Sequence, residues 1–213
     1  MRIIGGEWRG RKIEEPRGRD VTRPTTDRVR EACASMVMSA FDFDLDEVRV
    51  LDALAAPAPG NRDALAWRPL AHHVRDRSQC RPSDHQEYRV AVPRRLRWRV
   101  VTGDVLASAS RGRVPGGPFD LILLDPPYAF GAEPVEELLQ NLSQQGLLAP
   151  GAFALFEHAA ADAGAHPACF KTVREKRYGI TSVDLLRSVA EDENDHADEN
   201  ENDEDVPSED THE

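Results

Sequence analysis

"FDLILLDPPYAF", residues 119–130, is the stretch whose reading decides the fold. Phe119 to Leu124 is apolar apart from Asp120. A near-continuous run of this kind fits a strand buried on both faces, as in a parallel sheet. Asp125 ends the run and two prolines follow. Each proline fixes φ and lacks an N–H, so the turn is stiff and its carbonyls are left as acceptors. Asp125 adds a carboxylate, and Tyr128 adds a ring on which a flat base can stack, worth roughly 1–3 kcal/mol per base. Such a set suits an exocyclic amine on a nucleobase. The acceptors of Asp125, Pro126 and Pro127 hold its N–H bonds and aim its lone pair, and positioning of that kind supplies much of a rate. The plainer alternative is a tight turn after a strand, and the tetrapeptide alone leaves the two readings level.

The flanks extend the pattern. Val48–Asp52 and Arg99–Asp104 ("RVVTGD") are two further apolar runs that end in an acid, and Ala152–His158 is a fourth strand. Thr25-Thr26-Asp27 opens a helix whose apolar positions Val29, Ala32, Cys33, Met36, Val37 and Ala40 follow the i, i+3, i+4, i+7 rule. A second helix fits after the Asp-Pro-Pro corner. Pro134 suits its first turn, Val135, Leu138, Leu139 and Leu142 share a face, and Gly146 suits its C-terminal cap. "FKTVREKRYG" and "TSVDLLRSV" form an antiparallel closing pair. Strand–helix alternation predicts an α/β fold with a doubly wound sheet. Ligands of such folds sit at the carboxyl ends of the strands, which places Asp52, Asp104 and Asp125 around one crevice.

Composition sets the outer limits. The formal charge of the 213 residues is −11, but 13 of the 38 acids lie between Glu191 and Glu213. The remainder carries 25 acids against 27 Lys and Arg. The acidic run has too few apolar residues to offset its ordering entropy, so 191–213 reads as a disordered, solubilising tail. Its sharper reading is an electrostatic mimic of RNA. Cys33, Cys80 and Cys169 show neither disulfide nor metal spacing. No apolar run approaches a membrane span and no signal peptide opens the chain. The expectation is a cytoplasmic, reduced monomer, without metal and away from the membrane.

The basic residues gather at the start. Residues 1–31 hold nine Arg or Lys against six acids. Residues 1–24 alternate as a small hairpin, and 25–190 form the main domain. Arg9, Arg11, Lys12, Arg23, Arg28 and Arg30 fit phosphate contacts, which position a nucleic acid without reading it. The plainer reading is a solvated hairpin and helix face. Trp8 suits stacking on RNA and packing beneath the hairpin equally.

The stretches "MRIIGGEWRGRKI", "TRPTTDRVREA", "VRVLDA", "VVTGDV", "FDLILLDPPYAFG", "GLLAPG" and "EKRYGITSV" resemble, in order and spacing, the RsmD family of bacterial small-subunit rRNA guanine-N2 methyltransferases. The resemblance spans residue 1 to about 189, except roughly 55–98. It implies a class I S-adenosylmethionine-dependent methyltransferase fold, S-adenosylmethionine as methyl donor, and small-subunit rRNA or an assembling small ribosomal subunit as partner. It also implies an RNA-facing N-terminal extension and a base pocket at Asp125–Tyr128. Cofactor contacts fall to Asp52, Asp104 and Asp125, with Asp104 near the adenine amine or, more plainly, a strand-end cap. Two alternatives stand beside this function. One is a different DNA or RNA amino-methyltransferase, and the other is an inactive RNA-binding remnant.

One segment departs from the pattern. The resemblance calls for a glycine-rich turn after Asp52 and an acid one strand later for the ribose. The chain instead has "ALAAPAPGNRDALAWRPLAHHV", where Pro57 and Pro59 remove donors and glycine, which allows close backbone approach, is absent until Gly60. Residues 60–99 read as no folded α/β segment, because arginine, histidine and proline break every stripe. The stretch from about 55 to 98 looks frameshifted. Ala56-Pro57-Ala58, taken from the third base of each preceding codon, allows Gly-Ser-Gly or Gly-Thr-Gly. From Pro59, taken from the second base, the code allows L-G-I-E-M-L-S-R-G-A, then S-R-I-T-F-V and E-A-N-A-A-R-R-T-I-R-N-I-V. Trp67 must become glycine. Asn61, His72, His85 and Tyr88 must become Ile, Met or Thr. Gln79 and Glu87 must become Asn or Ser, and Cys80 must become Ala or Val. An amphipathic helix, a strand ending near an acid and a second helix result. Three single-base changes of one sign produce both offsets and the return to frame.

Overall fold

A computed structural model of the chain describes residues 9–10, 26–54, 70–75 and 99–189. At 70–75, 99–100, Thr102 and Tyr128 the description is of the backbone. Most of the hairpin expected over 1–24, most of the 55–98 segment and the acidic tail lie outside the described residues.

Helix α1, Asp27–Ala40, starts where the threonine pair predicts: the Thr26 hydroxyl accepts from the Val29 N–H at 3.4 Å. Seven strands follow: β1 (Arg49–Ala53), β2 (Leu70–Arg75), β3 (Arg99–Thr102), β4 (Phe119–Leu124), β5 (Leu148–Ala159), β6 (Phe170–Tyr178) and β7 (Thr181–Ser188). Among the described residues two helices lie between them, α2 (Val105–Ser110) and α3 (Glu133–Gln144). The sheet order is β3-β2-β1-β4-β5-β7-β6. β3 through β5 are parallel, and β7 runs antiparallel to both β5 and β6. The chain winds outward from β1 in one direction and restarts at β4 in the other. Their seam is the point where a doubly wound sheet opens a crevice.

Alternation along the strands sorts two cores. Leu51, Ile122, Leu124, Ala154 and Phe156 face α2 and α3. Val50, Leu121, Leu123, Leu155 and Val183 face α1, through Val29, Cys33, Met36 and Val37. Val135, Leu138, Leu139 and Leu142 are fully buried, as their helical spacing predicts. Burying each such side chain contributes about 1.5–3 kcal/mol. Gly146 follows the C-cap with φ 64°, a left-handed turn that glycine enters without a Cβ penalty.

Two elements differ from the sequence expectation. No α/β element was expected between 60 and 99, yet Leu70–Arg75 is a strand between β1 and β3. His72 stands level with Leu51, and His73 level with Asp52. Strand pairing needs only backbone N–H and C=O groups, so a sheet can place a strand where side chains signal none. Helix α2 was not expected either, because six residues are too few to show a period.

Candidate functional site

The carboxyl ends of β1, β4 and β5 gather three carboxylates. Asp52 ends the apolar run of β1, and Asp125 is the first residue beyond β4. Leu124 pairs with Phe156, so Asp125 and Glu157, one residue further on each strand, stand side by side. By strand alternation all three project to the α1 side, in phase with Val50, Leu123 and Leu155. Asp52, Asp125 and Glu157 are 3%, 7% and 4% exposed. Burial pushes the Asp125 carboxyl well above the usual carboxylate range, and the charges of Glu157 and Asp52 push it further. A crevice of this charge favours a positive or N–H-rich ligand.

The prolines shape the wall. The Pro127 carbonyl accepts from the Phe130 N–H at 2.8 Å, closing a single 3-10 turn over Tyr128–Phe130. The backbone acceptor expected at this corner therefore falls to Pro126. Beside it lies a shallow, part-open cleft, lined by Pro126, Pro127, Gly131, Phe156, Glu157 and His158 among others. The backbone of Tyr128 stands at this corner; its ring lies outside the description.

Glu157 and the pair behind the cleft were not among the expected site residues. His158 Nε2 lies 3.0 Å from Asp184 Oδ2, and its Nδ1 lies 3.0 Å from the Ala159 carbonyl. Both partners accept, so the ring is satisfied only when both nitrogens carry protons. The Asp184 hydrogen bond accordingly raises the His158 pKa against the opposing effect of burial. The imidazole stacks on Phe156 with centroids 4.8 Å apart. A signal for Glu157 existed in "FALFEHAA", another apolar run that ends in an acid. No signal tied His158 to Asp184, which lie 26 residues apart.

The remaining expected residues spread out. Asp104 is exposed, and its Oδ1 accepts from the Ala107 N–H at 2.9 Å, capping α2. That is the plainer of its two expected roles, and its second oxygen is not used by the cap. Arg9 and Arg28 are exposed, with the Arg28 guanidinium 5.9 Å from the centre of the Tyr178 ring. Arg30 departs from the expected phosphate contact. It is 2% exposed, and its Nη1 donates to Asp27 Oδ1 at 2.9 Å. Its place one residue after Val29 turns it into the core side of α1, so it is not a surface cation. Arg11, Lys12, Arg23 and Trp8 lie outside the described residues. Basic residues that had not been singled out appear on β6, where Lys171, Arg174, Lys176 and Arg177 are all exposed at the sheet edge.

S-adenosylmethionine meets this crevice unevenly. The acidic cluster suits its cationic head. The exit from β1 does not suit the rest: the chain leaves through buried Leu54 at φ 56°, a left-handed turn without a glycine. It then runs Ala55-Ala56-Pro57-Ala58-Pro59, short of N–H donors and of glycine. As written, the residues at this turn do not fit the cofactor.

Comparisons with known proteins agree with the architecture. Residues 1–187 match the family model described as conserved hypothetical protein 95. The chain is 29% identical over 196 residues to the ribosomal RNA small subunit methyltransferase D of Escherichia coli K12, covering 92% of this chain and 93% of that protein. Among solved structures it is similar to a putative methyltransferase from Escherichia coli, with 26% identity, a TM-score of 0.68, and coverage of 88% and 97%. A putative methylase from Haemophilus influenzae gives 23%, 0.66, 89% and 98% in the same measures. An rRNA methyltransferase from Streptomyces viridochromogenes gives 16%, 0.54, 80% and 88%. The fold is that of the class I S-adenosylmethionine-dependent methyltransferases.

Proposed function

We propose, on the premise that this chain belongs to the conserved hypothetical protein 95 family of RsmD-type methyltransferases, that its Asp125–Pro126 corner holds a guanine of small-subunit rRNA for methylation at N2. The methyl donor of this fold is S-adenosylmethionine. The observation that carries the reading is the buried Asp125 carboxyl at the β1/β4 seam, followed directly by the rigid Pro126–Pro127 corner.

The division of labour follows from the residues. Asp125 and the Pro126 carbonyl accept from the N–H groups of the guanine edge and hold the amine in one orientation. The rigid prolines keep those acceptors in place before the base arrives. The amine loses a proton as it gains a carbon. An ionised Asp125 Oδ is the acceptor within reach, and its raised pKa makes it a better base once ionised. Tyr128 supplies the stacking ring. The rRNA backbone is met by Arg9 and Arg28, by Arg11, Lys12 and Arg23 of the N-terminal stretch, and by the exposed cations of β6. The protein works in the cytoplasm as a monomer on free rRNA or an assembling subunit.

A second reading is favoured by the unsuitable turn after Leu54: the chain as written is an RNA-binding remnant that transfers nothing. One experiment separates the readings. Labelled S-adenosylmethionine is supplied with small-subunit rRNA or duplex DNA, to this chain and to its frame-restored counterpart, and the nucleosides are resolved by chromatography. N2-methylguanosine from rRNA with the restored chain is the expected product. Label in DNA or on another base sinks the assignment. Retained rRNA binding without transfer by the chain as written identifies the remnant.

A further inference from the structure

We infer that residues from about 55 to 98 are an out-of-frame translation, and that this chain as written cannot hold its methyl donor although the rest of its site is intact. The inference rests on the methyltransferase reading for what the turn after β1 ought to be. The codon arithmetic does not depend on that reading.

The structure adds an observation that the sequence lacked. β2 is an interior strand, flanked on both sides by parallel neighbours. Interior parallel strands read as apolar, β-branched runs, because both faces are covered. Leu70–Arg75 reads Leu-Ala-His-His-Val-Arg. Taken from the second base, the same six codons allow Ser-Arg-Ile-Thr-Phe-Val. Two of these positions are tightly bound by the code. His72, followed by His73, becomes Ile or Thr; His73, followed by Val74, becomes Met or Thr. The two histidines, foreign to an inner strand, thus become residues that suit one, at the positions where the sheet has its strand.

The same holds at the turn. β1 remains in frame through Leu54, and its residues Val50, Leu51 and Ala53 are fully buried. One missing base after Leu54 opens the third-base frame, in which codons 56–58 allow Gly-Ser-Gly or Gly-Thr-Gly. A second missing base before Pro59 opens the second-base frame, and a third restores the original before β3. The in-frame elements on either side, β1 with its Asp52 and β3 with its Asp104, keep their places in the sheet. The shifted frames permit a glycine turn, force a glycine at Trp67 and permit a strand with Ile, Thr and Val, a combination that drift of a cofactor loop gives no reason to expect.

The gene itself is the test. Codons 54–99 are read from genomic DNA in the two shifted frames. The expected result is an open frame with glycine at both outer turn positions and apolar residues at 72, 74 and 75. A stop codon in the third-base frame over 55–58 or in the second-base frame over 59–98, or no glycine at either turn position, overturns the inference. Bases recovered on resequencing mark an error, and bases confirmed missing mark a decayed gene; both support it. A protein arm reads donor binding without turnover. S-adenosylmethionine is titrated by calorimetry into the chain as written and into the frame-restored chain. Binding to the restored chain at least about 100-fold tighter is expected, and equal affinity overturns the inference. If the restored chain binds the donor yet leaves rRNA unmethylated, the rRNA reading fails while this inference stands.

Discussion

The two halves of the sheet meet at the β1/β4 seam but are written differently. After the seam, β4 runs apolar as its burial demands, and α3 buries the four positions its spacing marks. From β1 to β3 the sheet has the same parallel geometry, yet β2 carries two histidines in an interior position. In one half, local propensity, pattern and packing agree. In the other, the backbone topology stands without matching side chains, and agreement across levels is what gives a sequence a single deep minimum. The difference teaches where the recognition signal resides. The flanking strands and the Asp-Pro-Pro corner identify the fold, even with its cofactor turn overwritten.

The largest expected effect tests the well-written half. Leu139→Ala removes a fully buried side chain from α3 and should cost about 2–5 kcal/mol, measured by chemical denaturation. A loss under about 1 kcal/mol would mean that this core is no better specified than β2.

Asp125 comes next. In the frame-restored chain, Asp125→Ala should lower methyl transfer by roughly 100-fold or more while rRNA affinity stays within about two-fold, because positioning is lost and phosphate contacts are kept. Its pKa is raised, so the buried carboxyl adds most stability below its ordinary pKa and loses it as pH rises through the raised value. Asp125→Asn should therefore be more stable than the wild type near neutral pH, with the gap closing toward acid. Transfer by the wild type should climb with pH as Asp125 ionises. A pH-independent stability difference would show that Asp125 is not desolvated.

The His158–Asp184 pair shifts stability with pH in the same direction. Its stabilisation is present below the ordinary histidine pKa of about 6.5 and is lost as pH rises through the raised value. Asp184→Asn should cost about 1–3 kcal/mol under mildly acidic conditions, and less as pH rises. Thermal melts across pH read this directly, and an equal cost at every pH would argue for shape alone.

The smallest effect probes the badly written half. His72→Ile, at the position level with Leu51, should raise stability by on the order of 1 kcal/mol. Destabilisation by this change would break the comparison, since the histidine would then belong in its strand.

Much of this was legible before any coordinates. Thr26 as a cap, the α3 stripe, the closing pair and the acids at strand ends follow from periods of 3.6 and 2 and from side-chain chemistry. β2 was not legible, because its side chains give no strand signal and only the gap between β1 and β3 requires one. Arg30 misled for a different reason. A basic residue among basic neighbours reads as surface, and nothing local reports that the next turn of α1 rotates it inward.

The sequence alone determined the family, the strands that end in acids and the rigid Asp-Pro-Pro corner after β4, because those properties are local. Only the tertiary structure decided that Glu157 stands beside Asp125, that His158 is locked by Asp184, and that β2 fills the interior between β1 and β3. Those are matters of register between strands distant in sequence, and register is set by the packing of whole faces, which no short stretch of residues contains.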